Sequence, residues 1–264
     1  MGVINVTPDS FSDGGRFVNS EAAVAHALRM VEEGAGVIDV GGESTRPGAQ
    51  GVSADEEIRR VLPVIEALAA RTKVPLSIDT SKPAVMTAAV RAGASMINDV
   101  RALREPGAIE AAARTGAAIC LMHMQGEPRT MQADPRYGDV VAEVRDFLRE
   151  RTAACLTSGI AKDRLMVDPG IGFGKRLEHN LALLAGLPAL TSLGWPVLVG
   201  VSRKSMFGTL LGRAVDERVA GGVAVATAAV LAGASMLRTH DVAATVDAVK
   251  VAVALRAAGY RTRD

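Results

Sequence analysis

The sequence predicts an α/β fold, a (β/α)8 TIM barrel built as one domain over residues 1–264. Three observations carry this expectation. Eight short apolar runs alternate with eight stretches of helical pattern along the chain, the count that closes a barrel of about 250 residues. One local plan recurs: an Ala-rich helical stretch ends at a glycine, and an apolar run follows that ends in polar side chains. The turn after the first run reads "NVTPDSFSDGG", without the Gly-rich phosphate turn that a doubly wound open sheet, the alternative fold, places there.

The elements follow in order. "GVINVTP" (2–8) is the first strand, and helical pattern runs over 20–34. "EEGAGVIDVGGE" (32–43) supplies the glycine stop and the second strand, before a helix over 54–71. "KVPLSIDTS" (73–81) is a strand without the glycine, followed by a helix over 82–93. "RAGASMINDVRA" (91–102) and "RTGAAICLMHM" (114–124) repeat the plan around helices at 106–116 and 137–158. "SGIAKDRLMVDP" (158–169) and "SLGWPVLVGVSRK" (192–204) fit it more loosely, with a helix over 178–191 between them. "LAGASMLRTHD" (231–241) is the eighth strand, set between helices at 216–233 and 241–258. Glycine is the usual residue just past a helix, where a left-handed backbone ends the coil. Strands that are apolar throughout, alternating with helices, belong to a parallel sheet covered on both faces.

Composition narrows the function. Hydrophobic residues make up 48% and charged residues 22%, with a net charge of +1, so nothing favours nucleic acid or a membrane surface as partner. Cys120 and Cys155 form neither a metal-ligand spacing nor a disulfide framework, as expected of a reducing cytoplasm. No signal peptide or apolar run of transmembrane length is seen. The chain opens almost directly in a strand, which leads to the expectation that a short N-terminal piece has been trimmed.

In a barrel, chemistry sits at the C-terminal ends of the strands. Those ends supply Asn5, Glu43, Asp79, Asn98, Asp99, His123, Asp168, Ser202, Lys204, Arg238 and His240. Each alone has a structural explanation: Asp79 as a helix cap, Asn98 as a partner for loop backbone, Arg238 as half of a rim ion pair. For His123, between two methionines, a core role is favoured. Convergence of so many polar groups on one apolar mouth is harder to explain without a ligand. Arg238 and His240, two apart, point the same way, and with Asn5, Thr45 and Arg46 they suggest an anion or Mg²⁺-phosphate site. Asp79, Asn98 and Asp168 form a second group, acceptors with no cation among them, suited to a flat heterocycle rich in N–H donors. Ser205 is placed at a helix start, where free N–H groups favour a carboxylate.

"VDPGIGFGKRLEHN" (167–180) resembles a phosphate loop but is not one. The P-loop needs a hydroxyl residue after its lysine, and Arg176 follows Lys175. Gly170, Gly172 and Gly174 alternate strictly, so the dinucleotide fingerprint fails as well.

Seven blocks carry a resemblance: "GVINVTPDSFSDGG" (2–15), "GGESTRPGA" (41–49), "SIDTSKP" (77–83), "INDV" (97–100), "VDPGIGFGK" (167–175), "GVSRKS" (200–205) and "RTHDV" (238–242). In this order they are similar to the dihydropteroate synthases. One departure is the strand or hairpin that the family carries before the first block; its absence leaves closure of the barrel bottom open.

The resemblance implies a barrel that joins 6-hydroxymethyl-7,8-dihydropterin diphosphate to p-aminobenzoate with Mg²⁺, as a cytoplasmic homodimer. It implies pterin contacts from Asp79, Asn98, Met122, Asp168 and Lys204. Diphosphate would meet Asn5, Thr45, Arg46, Arg238 and His240, with Asn5 on the metal. The p-aminobenzoate would lie among Phe11, Pro47, Phe173, Lys204 and Ser205. Catalytic roles would fall to Asp13, Arg46, Asp79, Asp168 and Lys204, the loops holding Asp13 and Arg46 closing over the site. Two other enzyme readings share parts of this pattern: a pterin-binding methyltransferase, which would lack the "SRKS" turn and Phe173, and an aldolase using Lys204 as a Schiff-base nucleophile. A non-catalytic binding module would make the polar rim incidental.

Overall fold

The structure is a computed structural model, and it describes residues 1–7, 16–44, 48 and 51–260, the side chains of 16–19 excepted. Eight parallel strands alternate with helices along it. They are β1 (Gly2–Asn5), β2 (Ile38–Gly41), β3 (Leu76–Asp79), β4 (Met96–Asp99), β5 (Ala118–Met122), β6 (Leu165–Asp168), β7 (Leu198–Gly200) and β8 (Met236–Arg238).

The ladder is not continuous. β1 to β6 form one six-stranded sheet in sequence order, and β7 pairs with β8. Single bridges span the two seams, Val167 to Val197 and Gly2 to Thr239. Backbone bonds reinforce them: Val167 N donates to Pro196 O at 2.9 Å and Val3 N to Thr239 O at 3.1 Å. The strands therefore succeed one another as the staves of the expected (β/α)8 barrel, with short ladders where β7 and β8 have only three residues each.

The helices are α1 (Arg16–Glu32), α2 (Ala54–Ala69), α3 (Pro83–Arg91), α4 (Ala108–Thr115), α5 (Val140–Thr157), α6 (Leu177–Ala185), α7 (Leu187–Thr191), α8 (Ser205–Leu211), α9 (Val219–Leu231) and α10 (Val242–Ala257). Two departures from the expected pattern stand out. The helix expected over 178–191 breaks at Gly186 into α6 and α7, because Pro188 sits in the first turn of the second piece and cannot continue a helix from its interior. The unit after β7 carries two helices, α8 and α9, where the main expectation was one over 216–233.

Caps fix several starts. The Ser53 side chain accepts from Glu56 N ahead of α2, and Asp139 accepts from Val141 N and Ala142 N ahead of α5, satisfying donors that a helix start leaves free. The outward faces of the strands pack under the helices in two large buried clusters, one holding Ile38, Val40, Ile78, Ile97 and Ile119, the other Val167, Val197 and Val199.

Candidate active site

Alternate residues of each strand face the barrel interior. Their lower layer is apolar: Met96, Cys120 and Leu198 are buried together, with Met1, Met166 and Met236 against them. This layer fills the barrel bottom. Two residues further along those strands stand Asn98, Met122, Gly200, Asp168 and Arg238. Asp79 of β3 lies opposite Asn98 in the ladder. A floor of sulfur and leucine thus turns into a polar mouth over one period of the pleat.

The polar groups are bonded to one another. Arg238 Nε donates to Asp39 Oδ2 and its Nη2 to Asp79 Oδ2, each at 2.7 Å. Asn98 Nδ2 donates to Asp39 Oδ2 at 3.0 Å. This corrects the sequence-based grouping, in which the acceptor cluster held no cation. Arg238 crosses the barrel into it, because two buried carboxylates on neighbouring strands need a positive partner. Arg238 is therefore held by the acids of the acceptor group. Asp39, absent from the candidates, is fully buried at the centre of this network.

The network is not saturated. Among the described residues, Asp39 Oδ1, Asp79 Oδ1 and Ser77 Oγ are buried without a hydrogen-bond partner. Buried polar atoms in folded proteins are almost always paired, so these acceptors mark where donors of a ligand or water belong. Burial pushes Asp79 up to about 7, against the pull of Arg238 and with Asp39 adding to the rise. Burial also raises Asp168, against a 2.7 Å hydrogen bond from Gly170 N and the nearby charge of Lys204.

Lys204 follows β7 and precedes α8, so Ser205 opens that helix as expected. The Lys204 ammonium lies 4.2 Å from the centre of the Phe173 ring. Among the described residues it has no ion pair or hydrogen bond of its own. Burial and Arg238 lower it to about 8, against Asp168 and Asp79. Met122, Val100, Met124 and Met131 form a buried apolar patch with Phe173 packed on it.

Asp79 near 7 and Lys204 near 8 leave a narrow interval in which the acid is ionised and the amine charged. Affinity for a ligand that donates N–H groups to Asp79 is expected to rise as pH passes upward through about 7 and to fall above about 8. Titration of 6-hydroxymethylpterin at pH 6, 7.5 and 9 reads this. Affinity that is flat or highest at pH 6 would exclude an ionised Asp79 as the acceptor.

His240 lies past the end of β8, where its N donates to Ser202 Oγ at 3.1 Å and its Nδ1 stands 3.2 Å from the same oxygen. Burial, then Arg238 and Arg203, lower it to about 4, which keeps the imidazole neutral near pH 7. Asn5 ends β1, and its amide makes no hydrogen bond among the described residues. Phe11, Asp13, Thr45, Arg46 and Pro47 lie outside the described residues.

Three other strand-end residues do different work. Asp99 accepts from Ser81, from Arg101 N and from Leu103 N, and so caps the loop after β4. Glu43 pairs with Lys82, which also reaches Glu57 at 2.6 Å. His123 is the core histidine it was read as, edge-on to Phe147 at 4.9 Å and lowered to about 3 by burial and Lys175.

The model of the family described as pterin binding enzyme matches residues 1–240. The chain is 54% identical to the dihydropteroate synthase of Escherichia coli strain K12 over 263 residues, covering 100% of this chain and 93% of that protein. It is 58% identical to a Xanthomonas albilineans dihydropteroate synthase solved with 4-aminobenzoic acid, with a TM-score of 0.92 over 97% of this chain and 92% of that one. A structure of the Xanthomonas albilineans enzyme in complex with 7,8-dihydropteroate aligns with a TM-score of 0.88 at 54% identity, covering 97% and 93% of the two chains.

Proposed function

The chain belongs to the dihydropteroate synthases, a family of pterin-binding enzymes, and from that premise we propose how its barrel mouth divides the work. The reaction is a transfer in folate biosynthesis. It condenses 6-hydroxymethyl-7,8-dihydropterin diphosphate with p-aminobenzoate to give 7,8-dihydropteroate and diphosphate.

The observation that carries the residue assignment is the buried network of Asp39, Arg238, Asp79 and Asn98, with acceptor oxygens left open and Asp168 beside it. A pterin presents N–H donors along one edge, and Asp79, Asn98 and Asp168 accept them. Met122 supplies the apolar face, and Lys204 closes the pocket toward Phe173. Arg238 and the neutral imidazole of His240 donate to the diphosphate, joined by Thr45 and Arg46. The p-aminobenzoate ring lies against Phe173, Phe11, Pro47 and the stem of Lys204, with its carboxylate toward Ser205.

In the transfer, the C–O bond at the pterin methylene breaks and its electron pair leaves with the diphosphate. The positive charge spreads over the conjugated ring, where fixed carboxylates of Asp79 and Asp168 stabilise it. The amine lone pair then forms the C–N bond, and the extra proton on that nitrogen passes to water or to the released diphosphate. An aromatic amine is nucleophilic when neutral, so no strong general base is required. By the family resemblance, Asp13 and Arg46 would take part in this step.

Among the described residues, no three His, Cys, Asp or Glu side chains gather to form a protein cage for a metal ion. That fits Mg²⁺ carried by substrate phosphates with few protein ligands, and Asn5, with its unbonded amide at the mouth, is the proposed ligand. Bound there, Mg²⁺ would add positive charge to the leaving group.

We also place the enzyme in the cytoplasm, where its buried thiols Cys120 and Cys155 stay reduced. No helix among the described residues is long and apolar enough to cross a membrane. A homodimer is proposed through α10, whose Val251 and Leu255 lie one turn apart and exposed.

Binding is expected to be ordered, the pterin diphosphate first. The pterin acceptors sit deep on the strand ends, while the sequence reading puts Phe11, Pro47 and Phe173 between strand and helix, so we expect lone p-aminobenzoate to meet an incomplete pocket and bear the cost of ordering it. The test is titration of p-aminobenzoate into enzyme alone, then into enzyme holding a pterin, diphosphate and Mg²⁺. Equal affinity in both would refute the order.

A further inference from the structure

Lys175 is buried, at 3% exposure, yet among the described residues it forms no ion pair, and it has no part in the reaction as described above. A lysine is almost never buried unless paired. Its surroundings explain the exception. Lys175 Nζ lies 2.9 Å from His123 Nδ1, 2.9 Å from Gly170 O and 2.9 Å from Phe173 O. As an ammonium it carries three N–H donors and no acceptor, and four acceptors lie within reach, the fourth being His123 O at 3.4 Å; burial lowers the lysine to about 7, against the charge of Asp168. Burial and Lys175 keep the His123 imidazole neutral, and with Nδ1 unprotonated it completes the set as an acceptor.

The bonds converge on the segment that carries Phe173. Gly170 O also accepts from Phe173 N at 3.0 Å, so Lys175 ties both ends of that turn. The backbone there approaches the chain after β5 too closely for any side chain. A Cβ at Gly170 would fall 1.9 Å from His123 O, and one at Gly174 2.3 Å from Gln125 O, which is why these two positions are glycine. Tyr137 Oη at 2.7 Å from Gly174 O and Gln132 Nε2 at 2.6 Å from Gly172 O pin the outer side. From within, Asn180 Oδ1 accepts from Gly172 N at 2.7 Å, and among the described residues Lys175 alone reaches the carbonyls of both Gly170 and Phe173. With it in place, the Phe173 ring stands 4.2 Å beneath the Lys204 ammonium.

We propose that Lys175 is a positioning residue for the second substrate: by tying Gly170 and Phe173 to His123, it fixes Phe173 as the wall against which p-aminobenzoate is held. This rests on the assignment of Phe173 to the p-aminobenzoate pocket, and the test separates the two.

The experiment is a double-mutant cycle on Lys175→Met and Phe173→Ala, read as KM for p-aminobenzoate, kcat, and pterin affinity by titration. Phe173→Ala alone raises KM for p-aminobenzoate if the pocket is assigned correctly; an unchanged KM removes that assignment, and the inference with it. Given that rise, Lys175→Met is expected to raise the same KM roughly tenfold, the scale of one lost hydrogen bond, with pterin affinity changed far less. In the Phe173→Ala background Lys175→Met is expected to add little, because the group it positions is gone. Additive effects, an unmoved KM, or an equal loss of pterin affinity would each overturn the role of Lys175 while leaving Phe173 in the pocket. If Lys175→Met does not fold, Lys175→Gln, which keeps one donor group, passes through the same cycle with the same outcomes.

Discussion

Asp168→Asn is expected to weaken pterin binding by roughly 10- to 100-fold, the range for a buried group left facing the wrong partner. The replacement is isosteric. Its Oδ1 can still accept from Gly170 N, as Asp168 does at 2.7 Å, so the loop after β6 keeps its anchor. What changes is the other arm, where an acceptor becomes an amide donor. Against a pterin edge made of N–H groups, donor then meets donor, and neither finds a partner in a pocket where Asp168 is 5% exposed. Lys204 also loses a carboxylate that supports its charge. Titration of 6-hydroxymethylpterin into both proteins measures the effect, with thermal melting as the control for folding. Unchanged affinity would remove Asp168 from the pterin site.

The layout of the barrel was legible because parallel strands and their helices leave local signals. Glycine after a helix and an unbroken apolar run are short-range features, and they placed all eight strands. What escaped depends on contacts across the barrel. Asp39 sits inside "VIDVGGE", and attention to the polar end of each run favoured Glu43 instead. Period-two alternation held the missing signal: Asp39 lies two residues before Gly41, which pairs with Asp79 in the ladder, so both face inward. The union of Arg238 with Asp39 joins residues 199 apart in the chain, and no motif reports that distance. In sequence Lys175 reads only as part of a failed phosphate loop; its contacts with His123 exist only once the chain after β5 is folded against it.

Arg238→Met is expected to damage both folding and binding. Arg238 bonds Asp39 and Asp79 at 2.7 Å each, and they are 0% and 7% exposed. Removing one partner of a buried ion pair costs about 3–5 kcal/mol, because the other charge stays behind without compensation. The loss should depend on pH with a definite sign. Asp79 already stands above the ordinary carboxylate range, at about 7, with Arg238 holding it down. Without that arginine it rises further, so the folded protein keeps a proton that the unfolded chain releases. An acid of this kind costs nothing below its unfolded pKa and destabilises progressively as pH climbs through the folded one. The deficit relative to the parent should therefore be smaller at pH 5 than at pH 8.5. Denaturant titrations at the two values read the difference, and equal stability of variant and parent at pH 8.5 would mean that Arg238 does not hold the acids. Binding separates its second role. Loss of the acid network weakens free 6-hydroxymethylpterin, and loss of the cation weakens the diphosphate ester further still. If both ligands lose affinity by the same factor, Arg238 serves Asp39 and Asp79 alone, and the diphosphate must be held by other residues.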